Sequence, residues 1–248
     1  MKCLVAIDDT DNLESVGTGE LASLLSESVS ARGWGQAGHV TRHQMLVHPD
    51  IPYTSHNSAM CFPAEMERDC MEAFVAYAMD FLRQESASGS DPGLCVVAIE
   101  RLAEPAALIT FGREAKRKVL QKSDAYELAR RLDVHLSEHG GTGQGVIGAL
   151  AAVGLRMTGN DGRFKGHVKI EAADRIATPA EIKHQSHVRV VQSADGQVLA
   201  ESDRIRLGNK VKAVLLDGRS TLLVCRTDTN VNDTVRWETC SKQFLRSY

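Results

Sequence analysis

The six cysteines of this 248-residue chain include no C-x-x-C pair, which argues against a zinc ribbon or a thioredoxin-like redox motif. No apolar run approaches 18 residues and no signal-peptide pattern is present, so the expectation is a cytoplasmic protein with reduced thiols and no membrane partner. Neither a G-x-S-x-G elbow nor an H-E-x-x-H helix occurs, leaving serine-hydrolase and zinc-protease chemistry without support. Charge of one sign is also lacking: 29 Lys and Arg stand against 32 Asp and Glu, so the whole-chain balance does not argue for a polyanion partner. Internal repeats and low-complexity tracts are missing. What remains is a 43% hydrophobic composition, enough for an ordinary globular core in one large domain or two small ones.

The charge is unevenly divided. Residues 161–248 carry 15 Lys and Arg against 11 Asp and Glu, a balance of +4, and residues 1–160 are at −7. A mildly basic second half is compatible with tRNA or other nucleic acid as a partner and equally with an ordinary surface.

The chain is organised around Ile7-Asp8-Asp9-Thr10-Asp11-Asn12, which follows a short apolar run. At an effective dielectric of about 20, two unit charges about 4 Å apart repel by about 4 kcal/mol, so Asp8, Asp9 and Asp11 in one turn require compensation. A divalent cation would supply it, and Mg²⁺ is usually held by one or two carboxylates together with substrate phosphates. The alternative is a turn and helix entry stabilised by Asx hydrogen bonds and the helix dipole. Gly17-Thr18-Gly19 then opens a helical pattern through Leu21, Leu24, Leu25 and Val29, giving strand, acidic turn, glycine-flanked Thr and helix, a layout that suits phosphate. Thr18 either caps that helix or offers its hydroxyl to a phosphate or metal.

A second glycine-rich stretch, His139 to Gly148, contains Gly143, Gly145 and Gly148 in a literal G-x-G-x-x-G. A helical pattern precedes it where a dinucleotide fold needs a strand, and no Lys-Ser or Lys-Thr follows as a Walker loop needs. Two readings stay open: amides that cradle phosphate, or glycines that permit close helix packing. The loop 48–57 gathers His48, Tyr53, Thr54, His56 and Asn57 between strands, with Tyr53 able to stack on a base.

Apolar periodicity predicts strands at 3–7, 40–47, 58–62 and 93–99, and helices at 18–32 and 67–83. This β-α-β-β-α-β order is that of a ferredoxin-like unit in an α+β fold, elaborated by helices at 105–120, 124–136 and 146–155. The last helix is apolar nearly all round and should be buried, and the apolar run at 93–99 should be covered rather than form a bare edge. Cys3, Cys61 and Cys95 lie in strand-like runs and should behave as small buried hydrophobes. From Phe164 the texture becomes β, with Asp195-Gly196 and Asp217-Gly218 reading as hairpin turns. Domains are thus expected at 1–160 and 161–248, the second a small β-rich barrel or OB-like unit.

Three stretches together resemble the 2-agmatinylcytidine synthetase family, which modifies a minor isoleucine tRNA: Ile7 to Asp11 with Gly17-Thr18, the loop from His48 through Tyr53 to Asn57-Ser58-Ala59, and Gly143 to Gly154. The resemblance covers residues 1 to about 157. It implies that residues 1–160 form an ATP-handling, kinase-like domain in an enzyme that activates the 2-oxo group of the wobble cytidine before agmatine displaces the activated oxygen. It further implies that Asp8, Asp9 and Asp11 handle Mg²⁺ and ATP phosphates and that Thr18 occupies a phosphorylated position. Thr10, Gly17, Gly19, Gly143, Gly145 and Gly148 would contact ATP, with Tyr53, His56 and Asn57 on the substrate side. The chain departs from the family in having Gly17-Thr18-Gly19 for a Cys-Thr-Thr type turn, a loop one residue shorter before Asn57 with His56 near a usual Arg, and no zinc-ribbon cysteines.

The resulting expectation is an ATP- and Mg²⁺-dependent phosphoryl- or nucleotidyl-transfer enzyme acting on tRNA or a nucleotide-like substrate. The alternatives are a non-catalytic nucleotide-sensing or nucleic-acid-binding protein and, third, a phosphatase with an aspartate nucleophile. D-D-T-D resembles the D-x-D-x-T strand end of haloacid-dehalogenase-like enzymes, but at a different spacing.

Overall fold

Alternate residues of the first strand bury into two different cores, and this decides the layering around it. In β1 (Lys2–Asp8), Cys3, Val5 and Ile7 pack on one face, and Leu4 and Ala6 on the other. The computed structural model describes residues 1–51, 57–227 and 235–248, which divide into two compact units, Met1–Thr158 and Gly159–Tyr248.

In the first unit, β1 is followed by α1 (Thr18–Ala31), β2 (Gly35–Ala37), β3 (Thr41–Gln44), β4 (Ser58–Met66), α2 (Met71–Glu85) and β5 (Gly93–Ala98). Then come α3 (Pro105–Ala115), α4 (Lys122–Arg131), β6 (His135–Glu138) and α5 (Gly145–Met157). The strand order is β6-β5-β1-β4-β3, with β2 also on β4, and every pairing is antiparallel. Leu21, Leu25, Phe74 and Leu82 of α1 and α2 cover one face. Leu108, Ala125 and Leu150 of α3, α4 and α5 cover the other. The three cysteines in β1, β4 and β5 are buried as expected, and burial pushes the Cys3 and Cys61 thiols up to about 12.

Two helices end earlier than periodicity predicts. The pattern expected to run to Leu120 stops at Ala115, and the one expected over 124–136 occupies Lys122–Arg131. Asp133 takes a left-handed φ of 52° that ends the second helix, and the chain re-enters the sheet as β6. This strand covers β5, the protection expected of so apolar an edge. It also corrects the reading that a helix precedes the G-x-G-x-x-G stretch: a strand does. That strand runs antiparallel to its neighbour, so no parallel β-α-β unit of the dinucleotide type is formed.

α5 is buried over nearly its whole length, and its contact with α3 is made through glycine. A methyl group on Gly154 would stand 1.9 Å from the Leu108 carbonyl oxygen, so the two helices approach more closely than any other residue there permits.

The second unit contains β7 (Arg163–Phe164), β8 (Ile176–Ala177), α6 (Pro179–Gln185), β9 (Val190–Ser193), β10 (Ile205–Arg206), β11 (Ala213–Leu216), β12 (Arg219–Arg226) and β13 (Trp237–Thr239). Its strands follow the order β7-β11-β12-β13-β10-β8, with β9 parallel to β12 and β10 parallel to β13. β11 and β12 form the expected hairpin across Asp217-Gly218, both with positive φ (47° and 70°). At Asp195-Gly196 the far side makes a single bridge, Gln192 to Val198, instead of the expected strand. α6 is an addition to the β reading. Its capping box, Thr178 accepting from the Glu181 N–H while Glu181 accepts from the Thr178 N–H, is legible in Thr178-Pro179-Ala180-Glu181. Among the described residues no helix is long and apolar enough to cross a membrane.

Candidate functional site

The central strand delivers the acidic turn. Asp8 closes β1, and Asp9 adopts a left-handed φ of 52°, a conformation Asp tolerates better than most residues. Thr18 Oγ1 donates to Asp11 Oδ1 at 3.0 Å and accepts from the Thr10 N–H at 3.5 Å. Thr18 is therefore not the helix cap, one of its two sequence readings: Gly17 holds that position, and no side chain caps α1. The hydroxyl is instead committed to the aspartate loop. Gly17 has ordinary extended backbone, and a methyl group there would rest 3.6 Å from Asp11 Oδ2, so the conformation does not demand glycine.

The glycine-rich stretch reaches the same place from the other side. The Asp91 carboxylate accepts from both the N–H and the hydroxyl of Thr142, and its backbone carbonyl accepts from the Gly145 N–H at 3.1 Å. Gly93 and Gly145 press backbone to backbone: a methyl group on Gly93 would lie 2.2 Å from the Gly145 carbonyl carbon. One turn into α5, a methyl group on Gly148 would lie 1.8 Å from Asp8 Oδ2. The packing reading of these glycines holds: they allow close approach, and what packs closely is the aspartate turn. α5 has no side-chain cap and no acidic residue in its first turn, so the positive end of its dipole is not neutralised by its own sequence.

Asp8, Asp9, Asp11 and Thr18 line a cavity of about 370 Å³ together with Gln144, Gly145, Ile147 and Gly148 from the start of α5. Met45, Asp50, Ile51, Asn57 and Ser58 form another wall, and the segment after α3 contributes Lys118, Val119, Leu120 and Gln121. Lys118 is the one cation among the described lining residues, and its Nζ lies 3.1 Å from Glu114. Asn57 donates from Nδ2 to the Leu46 carbonyl at 2.6 Å, while its own carbonyl accepts from Met45 and Gln44, so it pins the β3–β4 connection.

The carboxylates carry the electrostatic cost expected of them. Asp8 is held well above the usual carboxylate range by burial first and then by the Asp9 charge, with Asp11 adding less. Asp9 is pushed up to about 6 by burial, then by the charges of Asp91 and Asp11. Among the described residues no group of three or more His, Cys, Asp or Glu is gathered tightly enough to hold a metal ion by itself.

Of the residues singled out from sequence, Asp8, Asp9, Asp11, Thr18, Asn57, Gly145 and Gly148 share this cavity. Thr10 lies behind the wall, fully buried, and its hydroxyl has no hydrogen-bond partner among the described residues. Gly17 and Gly19 sit at the α1 entry, and Gly143, at φ 75°, packs against the Glu138 carboxylate outside the cavity wall. Tyr53 and His56 lie outside the described residues. Two contributors had no motif to mark them: Asp91, which ends the SASGSD loop, and Lys118, which reaches the cavity only through the packing of α3.

No family model matches the sequence. The chain is 29% identical over 217 residues to the isoleucine-tRNA 2-agmatinylcytidine synthetase TiaS of Methanosarcina mazei, an alignment covering 84% of this chain and 48% of that protein. It is 30% identical over 162 residues to the protein of the same name from Methanosarcina acetivorans, covering 62% and 36%. Among solved structures it is similar to apo TiaS (TM-score 0.54, 29% identity, 62% of this chain and 35% of that one). It is also similar to TiaS in complex with an isoleucine tRNA and ATP (TM-score 0.54, 31% identity, 62% and 36%). The chain thus spans about half or less of the relatives it matches, and the resemblance read from its three motifs is borne out over that part.

Proposed function

We propose that the first unit binds ATP with Mg²⁺ in this cavity and catalyses an ATP-dependent phosphoryl or nucleotidyl transfer in tRNA modification, with tRNA or a nucleotide-like molecule as acceptor. The observation that carries the reading is that the aspartate turn and the start of α5, which no side chain caps, open onto one cavity of about 370 Å³. That volume is within the range of about 300–1,000 Å³ common for small-molecule sites. The donor set fits the ligand: hard carboxylate oxygens for the cation, and helix-start amides with Lys118 for phosphate oxygens. The strand order β5-β1-β4-β3 supports reading this unit as a ferredoxin-like core, extended by β6 and the α3–α5 layer.

When bound, ATP with Mg²⁺ supplies the transferable group and the charge that lets neighbouring carboxylates ionise. Carboxylates of the turn carrying Asp8, Asp9 and Asp11 would hold the cation together with phosphate oxygens, and the α5 start and Lys118 would orient those oxygens. Asp11, which already accepts the Thr18 hydroxyl proton in a hydrogen bond, is placed to take that proton if Thr18 becomes an acceptor. Transfer chemistry of this kind depends mostly on positioning and charge stabilisation, both of which these groups supply.

The test is incubation of the purified protein with γ-labelled ATP, Mg²⁺ and a tRNA pool. RNA-stimulated ATP consumption and labelled protein are expected. Unconsumed ATP, with no label on protein or RNA, would overturn the enzymatic reading in favour of a nucleotide-sensing protein.

A further inference from the structure

Two of the six cysteines meet side by side in the second unit. Cys225 is the next-to-last residue of β12, opposite Glu238 of β13, and Cys240 directly follows β13, two residues beyond Glu238. Residues opposite one another in an antiparallel pair share a face, as do residues two apart on a strand, so both thiols lie on the same side of the sheet. The Cys240 N–H extends the ladder by donating to the Leu223 carbonyl at 3.0 Å, and the two sulfurs come to 2.7 Å, one thiol donating to the other. Cys240 belongs to a small apolar cluster with Val214, Leu223 and Leu245, and Cys225 packs against its margin.

The two thiols differ in access. Cys240 is 7% exposed, and burial, then the hydrogen bond and charge of Cys225, hold its thiol above the ordinary cysteine range. Cys225 is only half-buried and is the one a reagent reaches first. In the first unit Cys3, Cys61 and Cys95 are buried and Cys70 is half-buried.

The pair also sits at a weak joint. Three residue pairs, Val224 with Thr239, Cys225 with Glu238 and Arg226 with Trp237, hold β13 to β12. Among the described residues the sheet continues beyond β13 only through β10 and β8, of two residues each. So short a ladder opens locally at little cost, and a cross-link placed on it restricts the opened chain.

We propose that Cys225 and Cys240 are a reversible redox pair, oxidised by a peroxide to a disulfide that locks β13 onto β12. The Cys225 sulfur, having lost its proton, attacks a peroxide oxygen; an S–O bond forms as the O–O bond breaks, and the leaving hydroxide takes up that proton as water. The Cys240 sulfur then displaces the sulfenic oxygen, which leaves as a second water with the Cys240 proton. Two thiols and one hydrogen peroxide thus give one disulfide and two waters. An S–S bond of about 2.05 Å asks the sulfurs to approach by less than an ångström. A dithiol reductant restores both thiols and is itself oxidised to a cyclic disulfide. None of this draws on the nucleotide site of the first unit.

The experiment is treatment of the full native chain with equimolar hydrogen peroxide, alkylation of the remaining thiols, and peptide mapping by mass spectrometry without reduction. The expected product is a Cys225–Cys240 linked peptide, lighter by two hydrogens and lost on treatment with dithiothreitol. Amide hydrogen exchange at Trp237 to Thr239 should slow at least about tenfold in the oxidised protein. Cys240→Ser should instead leave a sulfenic acid at Cys225 that dimedone captures, and its exchange should not respond to peroxide. Full alkylation of Cys225 and Cys240 after peroxide, or a link from either of them to Cys70, would overturn the pairing. A Cys225–Cys240 link that leaves exchange at β13 unchanged would overturn the lock.

Discussion

The carboxylate of Asp8 occupies the space that a side chain at Gly148 would need: a methyl group at 148 would come within 1.8 Å of Asp8 Oδ2. This one contact places the end of the central strand against the first turn of a buried helix, and the cavity lies where they meet. Gly148→Ala should therefore displace the Asp8 carboxylate and weaken binding of ATP with Mg²⁺ at least tenfold, measured by calorimetric titration. Gly154→Ala, on the same helix but against the Leu108 carbonyl, should cost about 1–3 kcal/mol of stability through overpacking and leave the affinity of the folded protein intact. Equal effects of the two substitutions on affinity would remove the special role assigned to Gly148.

Asp9 stores a cost that ligand binding relieves. Its pKa is raised from 3.8 to about 6, so between those values the folded protein holds a proton that the unfolded chain has lost. Stability therefore declines as pH rises from about 4 to about 6 on this group's account, and the cost is fully present above that range. Asp9→Asn keeps a residue that accepts the left-handed backbone and removes the charge. At pH 8 the ligand-free variant should be more stable than native by about 1 kcal/mol, the partial exposure of the carboxylate screening the rest. That corresponds to about 2–4 °C in Tm, with the gain vanishing near pH 4. A pH-independent difference would locate the effect elsewhere.

Thr18 separates binding from transfer. Thr18→Val keeps the shape and deletes the hydroxyl that Asp11 receives, and Thr18→Ser keeps the hydroxyl. With labelled ATP, the Ser variant should incorporate phosphate and the Val variant should not, although both should show the nucleotide-induced rise in Tm. Undiminished labelling of the Val variant would show that Thr18 is not the acceptor.

How much of this was legible depended on the range of the interaction. The acidic turn, the two-faced burial of β1 and the buried α5 are local patterns, written into consecutive residues and found where the sequence places them. β6 is hidden in the sequence because Leu128, Leu132 and Leu136 continue a helical spacing, and what breaks it is the single left-handed residue Asp133. The alternation of His135, Ser137 and His139 was the available signal: Ser137 Oγ lies 2.8 Å from both imidazoles. Thr18 was ambiguous because cap and first helical residue differ by one position, and only the hydrogen bond to Asp11 decides between them. Asp91 and Lys118 could not be found by motif. Asp91 lies 51 residues from the Thr142 it holds, and Lys118 meets the aspartates only through tertiary packing.

The central claim, that the aspartate turn and the α5 start form one site for ATP with Mg²⁺, is tested most directly by thermal denaturation with ATP, with and without Mg²⁺, on the native protein and on Asp9→Asn. At about 100 times the dissociation constant, a single site stabilises the fold by about 2.7 kcal/mol. The predicted result is a rise in native Tm that requires both ATP and Mg²⁺ and is lost in Asp9→Asn, even though that variant starts from the higher ligand-free Tm. A rise of equal size in both proteins, or none in the native protein, would contradict it.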